Sequence, residues 1–293
     1  MLHADTNIGP VAATPQPTAA GKRRRVRSGV PRVALGLLVP GLLFAAWWLT
    51  AAKGWVAPQI LPPPRRVGNT LLEQLSSGDL FGHMGISLGR VAAGFVLGSV
   101  IGAGLGVAMG LSRKAEDYLY PTFKAVSQVP VLGWLPLAMM LLGIGEALKV
   151  VIIAQACMIP VALNALKGIR SVPASYVEVA RAFEYSRRQL LRKVIFPASV
   201  PTLFVGLRSG LTQAWLSLVT VELLASSEGL GFMIVWGRQL FQLDLVLSAI
   251  IIVGVVGLLL DKLLERVEAW LLRWRPSVQY GDQAAHGAAE DVS

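Results

Sequence analysis

Residues 167–197, KGIRSVPASYVEVARAFEYSRRQLLRKVIFP, decide how the chain folds, because they form a polar island between two apolar runs. Seven Lys and Arg stand in the island. Ser171-Val172-Pro173 opens a helix, with a hydroxyl suited to capping and a proline in the first turn, where a missing N–H costs nothing. Ser175 to Phe183 then alternates as an amphipathic helix does. Ser186-Arg187-Arg188-Gln189 fits a capping box, with the hydroxyl at the N-cap and the amide three residues on. A second helix therefore starts at Arg187 and ends before Pro197, with the break at Glu184-Tyr185. The two form a hook projecting from whatever the apolar runs build. An ordinary structured loop would show the same pattern, but a connection of about 30 residues is uncommon without a function. The hook reads as a docking element.

The flanking runs are membrane spans. Apolar stretches cover 33–52, 85–111, 118–142, 148–166, 200–224 and 245–264. Each is close to the roughly 20 residues needed to cross a hydrocarbon core of about 30 Å. That predicts an all-α membrane protein of six transmembrane helices. Residues 1–32 form a basic tail, expected to be disordered, and the polar tail 277–293 is read the same way. Residues 33–52 are too long for a signal-peptide apolar region and carry the interfacial pair Trp47-Trp48, so they are a retained first span. Residues 53–84 lie between the first two spans, with Ile60-Leu61-Pro62-Pro63-Pro64 and an amphipathic stretch near Thr70 to Leu75. Lys and Arg set the orientation: 19 fall in the tails, in 112–117 and in the hook, against 5 in the other connections. Both termini and the hook are thus expected in the cytoplasm.

The chain has 293 residues, of which 54% are hydrophobic and 15% charged, and a net charge of +10. A basic balance often indicates nucleic acid, but a mean hydropathy of +0.59 excludes a soluble nucleic-acid binder. A lone cysteine, Cys157, excludes an internal disulfide framework and a multi-cysteine metal site, and three scattered histidines offer no zinc triad. No G-x-x-x-x-G-K-[ST] loop is present, so ATP hydrolysis is not expected on this chain.

Gly94, Gly98, Gly102, Gly106 and Gly110 recur every fourth residue and make a groove along the second span, against which another helix backbone can pack closely. A moving transport interface is the minority reading of the same groove. Pro130, Pro136 and Pro160 interrupt the third and fourth spans. Arg208 and Glu222 are charges inside the fifth span, fourteen residues apart and unable to pair along one helix. Arg208 either snorkels to the cytoplasmic surface or faces a pore. Glu222 either lines an external mouth or reaches the interface.

The hook resembles the "EAA" loop of ATP-binding-cassette importer permeases, patterned E-A-A-x3-G-x9-I-x-L-P. Glu178, Ala180 and Pro197 match, while Val179, Val194 and Phe196 are conservative replacements. The family glycine falls at Glu184, a residue that disfavours the tight left-handed turn, and the Ser186 capping box keeps the break without it. Gly54-Trp55, Trp134-Leu135-Pro136-Leu137, Gly206-Leu207-Arg208, Ala214-Trp215 and Ser227-Glu228-Gly229-Leu230-Gly231 resemble the aliphatic sulfonate, taurine and nitrate branch. The closing Leu271-Leu272-Arg273-Trp274-Arg275-Pro276 is most similar to the aliphatic sulfonate permeases.

The resemblance implies a type I importer bundle, with a permease domain over 82–268 and a coupling helix over 173–183. It implies a bacterial inner-membrane protein that pairs with a second copy. ATPase subunits would carry ATP and Mg, and a periplasmic or lipid-anchored binding protein would deliver substrate. Glu178, Ala180, Arg181 and Pro197 would couple to the ATPase, with Glu178 pairing a basic partner side chain and Ala180 keeping the docking face small. For an anionic cargo, Gln213, Ser217 and Thr220, related by i, i+4 and i+7, are path candidates, with Arg208 and Glu222 beside them. An ion-coupled secondary transporter would need more ionisable residues deep in its spans, and an intramembrane enzyme has no nucleophile–base pair to use.

Overall fold

The computed structural model describes residues 32–273, and both terminal tails lie outside the described residues. Every regular element there is helical: α1 (Arg32–Ala52), α2 (Pro64–Ser77), α3 (Asp79–Leu111), α4 (Arg113–Gln128), a 3-10 turn (Val131–Trp134), α5 (Leu135–Leu142), α6 (Glu146–Arg170), α7 (Ala174–Ala182), α8 (Arg187–Leu190), a π turn (Leu191–Ile195), α9 (Phe196–Ala225), α10 (Leu230–Gln239) and α11 (Leu243–Leu271). The chain divides into two units, residues 1–47 and 48–293. Most of α1 belongs to the first, where Phe44 and Trp47 meet edge to face, 5.9 Å apart.

In the second unit α6 is the central helix, with α3 on one side and α9 on the other. Small residues set that order. On α3 the five glycines meet α6, and a Cβ on Gly102 would stand 2.6 Å from the Met158 carbonyl oxygen. Cβ atoms on Gly98 and Gly106 would collide with the Ala154 and Ala162 carbonyl oxygens. Gly104, on another face, has nothing within 4 Å. Backbone contact this close replaces the hydrophobic drive that is missing between helices in lipid. On the other side, Gly206 and Gly210 of α9 let it settle on Asn164 and Cys157. The main core joins α3, α6, α9, α10 and α11 through Val91, Ile153, Leu218, Leu230 and Ala249.

Among the described residues four helices are long and apolar enough to cross a membrane, in the stretches starting at Asp79, Glu146, Arg187 and Leu243. The expected third span is not straight: α4 and residues 131–142 meet at 91°. Pro130 has no N–H to continue the helix and pushes Val129 into an extended conformation (ψ 121°). Counted as one bent span, the pair makes a fifth. The apolar part of α1 within the described residues, Leu38–Ala52, is shorter than a full crossing. Of the six expected spans, the described residues thus hold four, or five with the bent pair. Pro160, by contrast, sits inside an unbroken α6.

The second hook helix also differs from expectation. It does not stop before Pro197 but continues through the π turn into α9. A proline clashes with the carbonyl four residues earlier, and the wider π turn over Leu191–Ile195 relieves that crowding at Lys193.

Candidate functional site

Two polar constructions stand at opposite ends of α9. The first is the hook. Phe183 caps the C-terminus of α7, and Glu184 takes a left-handed backbone (φ 55°) despite its side chain. The Glu184 N–H donates to the Arg181 carbonyl (2.9 Å) and the Tyr185 N–H to the Ala180 carbonyl (3.0 Å). That is the Schellman pattern, normally closed by glycine. Two residues on, the Gln189 N–H donates to Ser186 Oγ (3.3 Å) and the Ser186 N–H to Gln189 Oε1 (2.8 Å), completing the capping box. The turn that a glutamate disfavours is thus made, held by a motif on each side. Lys193 Nζ lies 5.2 Å from the Tyr185 ring, and an Arg170–Glu116 ion pair ties the hook's base to α4.

On α7, Glu178 and Arg181 are exposed, whereas Ala180 is 4% exposed. Ala180 is buried and lines an open groove beside α7. Tyr176, Val179 and Phe183 share this groove of about 980 Å³ with Lys193, Pro197 and Pro201.

The second construction is a charged collar at the far end of α9. Glu222 is 0% exposed, so it neither lines a mouth nor reaches an interface. Its carboxylate accepts from Ser87 Oγ (2.8 Å), Arg90 Nη1 (2.8 Å) and the Gly231 N–H (2.9 Å). Arg90 also grips Glu146 with two parallel bonds (2.6 and 2.7 Å) and donates to the Glu228 carbonyl (2.9 Å). Lys149 Nζ completes the group at 2.8 Å from Glu146. Two cations and two anions balance: Arg90, Lys149 and Glu222 are buried and Glu146 stands at the exposed edge of the group. The Ser227-to-Gly231 motif now has a physical reading. A side chain at Gly229 (φ 105°) would run into the Glu222 carboxylate, and a Cβ at Gly231 would lie 2.6 Å from Glu222 Cβ. The Gly229 N–H donates to His83 Nδ1 (3.0 Å) and the Leu230 N–H to Ser87 Oγ (2.9 Å). The collar thus joins α3, α6, α9 and α10. Opposite charges in different helices were the signal for it, but of these four charged residues the sequence analysis singled out Glu222 alone.

The remaining α9 candidates do not share one cavity. Arg208 is clamped by Asp261 of α11 (2.8 and 2.9 Å), with Glu265 at 3.7 Å, and both partners of the clamp are part-exposed. Gln213 is exposed, and the Thr220 hydroxyl donates back to the Leu216 carbonyl (2.7 Å). Ser217 is buried, and its hydroxyl has no partner among the described residues. No cluster of metal-binding side chains occurs among the described residues.

With this geometry in place, the known proteins that the chain is similar to can be set beside it. Residues 94–273 match the family described as "Binding-protein-dependent transport system inner membrane component". A candidate aliphatic sulfonates transport permease protein of Bacillus subtilis is 41% identical over 244 residues, 83% of this chain and 88% of its own length. The taurine transport system permease protein of Escherichia coli is 34% identical over 253 residues, 85% of this chain and 92% of its own. A solved chain of the MetNI methionine ABC transporter, in an inward-facing conformation, superposes with a TM-score of 0.55 at 17% identity, covering 62% of this chain and 91% of that one. That likeness is one of fold.

Proposed function

The chain belongs to the family of binding-protein-dependent transport system inner membrane components, and on that premise we propose that it is the permease subunit of an ATP-driven importer for a small organic anion, an aliphatic sulfonate first of all. It is a multi-pass membrane protein with the type I importer fold. The observation that carries the reading is the hook: a short helix with Glu178 and Arg181 exposed, held rigid by a Schellman turn and a capping box, at the end of the helix that runs through the bundle. A lever must transmit force without bending at its joint, and both motifs oppose bending there.

In this reading ATP and Mg sit on a separate ATPase subunit, whose surface receives α7. A second copy of the chain completes the channel, and a periplasmic or lipid-anchored binding protein delivers the anion. Nucleic acid has no part in it. The 19-to-5 split of basic residues supports a bacterial inner membrane with the hook and both termini in the cytoplasm. Closure of the ATPase dimer draws the hooks together and biases a two-state bundle between inward-open and outward-open forms. The substrate rests on the sulfonate and taurine relatives, and nitrate is the alternative cargo.

The test is reconstitution of the permease with its ATPase and binding protein in proteoliposomes, with uptake of an alkanesulfonate, taurine and nitrate compared. Glu178→Arg is expected to abolish the stimulation of ATP hydrolysis by loaded binding protein while the bundle stays folded. Undiminished stimulation in that variant sinks the coupling role of α7.

A further inference from the structure

Resting on the anion-importer reading, we infer that the Trp134 indole N–H and the Ser217 hydroxyl are a pair of uncharged donors for the oxygens of the passing anion. Trp134 Nε1 and Ser217 Oγ are the two buried side-chain polar atoms without a hydrogen-bond partner among the described residues. An indole N–H can only donate, and leaving such a group buried and unpaired costs about 1–3 kcal/mol, so an orphan of this kind calls for an acceptor.

Position supports the pairing. Trp134 stands just after the sharp bend between α4 and residues 131–142, at the end of the 3-10 turn that touches α9. Its ring packs on a cluster that includes Val221 and Ala225 of α9. Ser217, Val221 and Ala225 follow one another every fourth residue and so form one stripe of that helix. Ser217 therefore lies one turn along the stripe from the cluster on which Trp134 rests.

Charge explains why uncharged donors are needed. The basic groups set inside the bundle on α3, α6 and α9 are engaged: Arg90 with Glu146 and Glu222, Lys149 with Glu146, Arg208 with Asp261 and Glu265, while Lys167 and Arg170 stand in the last turn of α6, at the base of the hook. None of the engaged cations is left over for an anion. Neutral donors have the further merit of binding weakly enough to release the cargo, as a path requires.

The experiment compares wild type, Trp134→Phe, Ser217→Ala and their double variant as full complexes with ATPase and binding protein in proteoliposomes. Initial rates of alkanesulfonate uptake are measured, together with thermal unfolding of the purified permease. Each single change is expected to lower uptake about fivefold or more, with stimulation of ATP hydrolysis by loaded binding protein retained and unfolding temperature unchanged or raised. Ser217→Thr, which keeps the hydroxyl, is expected to retain uptake. Uptake within twofold of wild type in the double variant, at a raised unfolding temperature, overturns the pair and marks the two groups as imperfectly packed core. Equal loss in Ser217→Thr and Ser217→Ala overturns it as well, because the hydroxyl is then not what counts. A wild-type complex that takes up none of the three anions fails earlier, at the importer reading, and carries the pair down with it.

Discussion

Glu184 holds a left-handed backbone (φ 55°), a conformation that costs a residue with a Cβ roughly 1–2 kcal/mol and costs glycine little. The Schellman bonds and the capping box impose it from both sides. Glu184→Gly should therefore stabilise the hook by about 1 kcal/mol, visible as a later onset of hook proteolysis and a higher unfolding temperature in detergent. A lower unfolding temperature would mean that the Glu184 side chain contributes more than its backbone costs. Ser186→Ala should act in the opposite direction by about 1 kcal/mol, since it removes the N-cap acceptor of Gln189. The capping box was readable from the sequence because its partners stand three residues apart. The turn at Glu184 was not, because intrinsic preference opposed it and the surrounding motifs prevailed.

Among the elements, α3 and α6 approach most closely, and their contact is set by backbone rather than by interdigitating side chains. Gly102→Leu, whose Cβ alone would meet the Met158 carbonyl oxygen at 2.6 Å, should force the two helices apart. The loss is expected to be roughly 1–3 kcal/mol or more, with poor recovery of folded protein from membranes. Gly104→Leu on the open face is the control and should be nearly neutral, so the difference in unfolding temperature between the two variants measures the packing alone. A period-four glycine row is legible because a helix brings i and i+4 to one face, and the bend near Pro130 is legible because proline removes a donor. The continuation of α8 into α9 was hidden. A proline at 197 reads as a helix end unless a π turn upstream makes room for it, and nothing in the pattern of apolar residues marks such a turn.

At the scale of the whole molecule, the collar ties four helices together through charge, and it lies at the other end of α9 from the hook. Its residues come together across more than 130 positions of sequence, as the Arg90–Glu222 bond does, and no local spacing could announce that. A buried ion pair is weak evidence for stability in itself, but breaking it from one side strands a charge, which costs about 3–5 kcal/mol. Arg90→Met should therefore be severely destabilising, as should Glu222→Met. The Arg90→Met, Glu222→Met double variant should unfold at a higher temperature than either single one, because no charge is stranded in it, and Lys149 still neutralises Glu146. A double-mutant cycle on unfolding free energy is expected to give a coupling of about 2–3 kcal/mol. Simple additivity of the two losses would show that Arg90 acts through Glu146, Ser226 and the Glu228 carbonyl rather than through Glu222. The double variant also separates stability from transport. If the collar holds these ends of α3, α6 and α9 in register for one of the two states proposed for the bundle, a folded double variant assembled with the proposed ATPase subunit should let that subunit hydrolyse ATP in the absence of loaded binding protein, since the charge clamp that opposes switching is gone while the hook is intact. A double variant that folds, transports and stays silent without binding protein would limit the collar to assembly of the bundle.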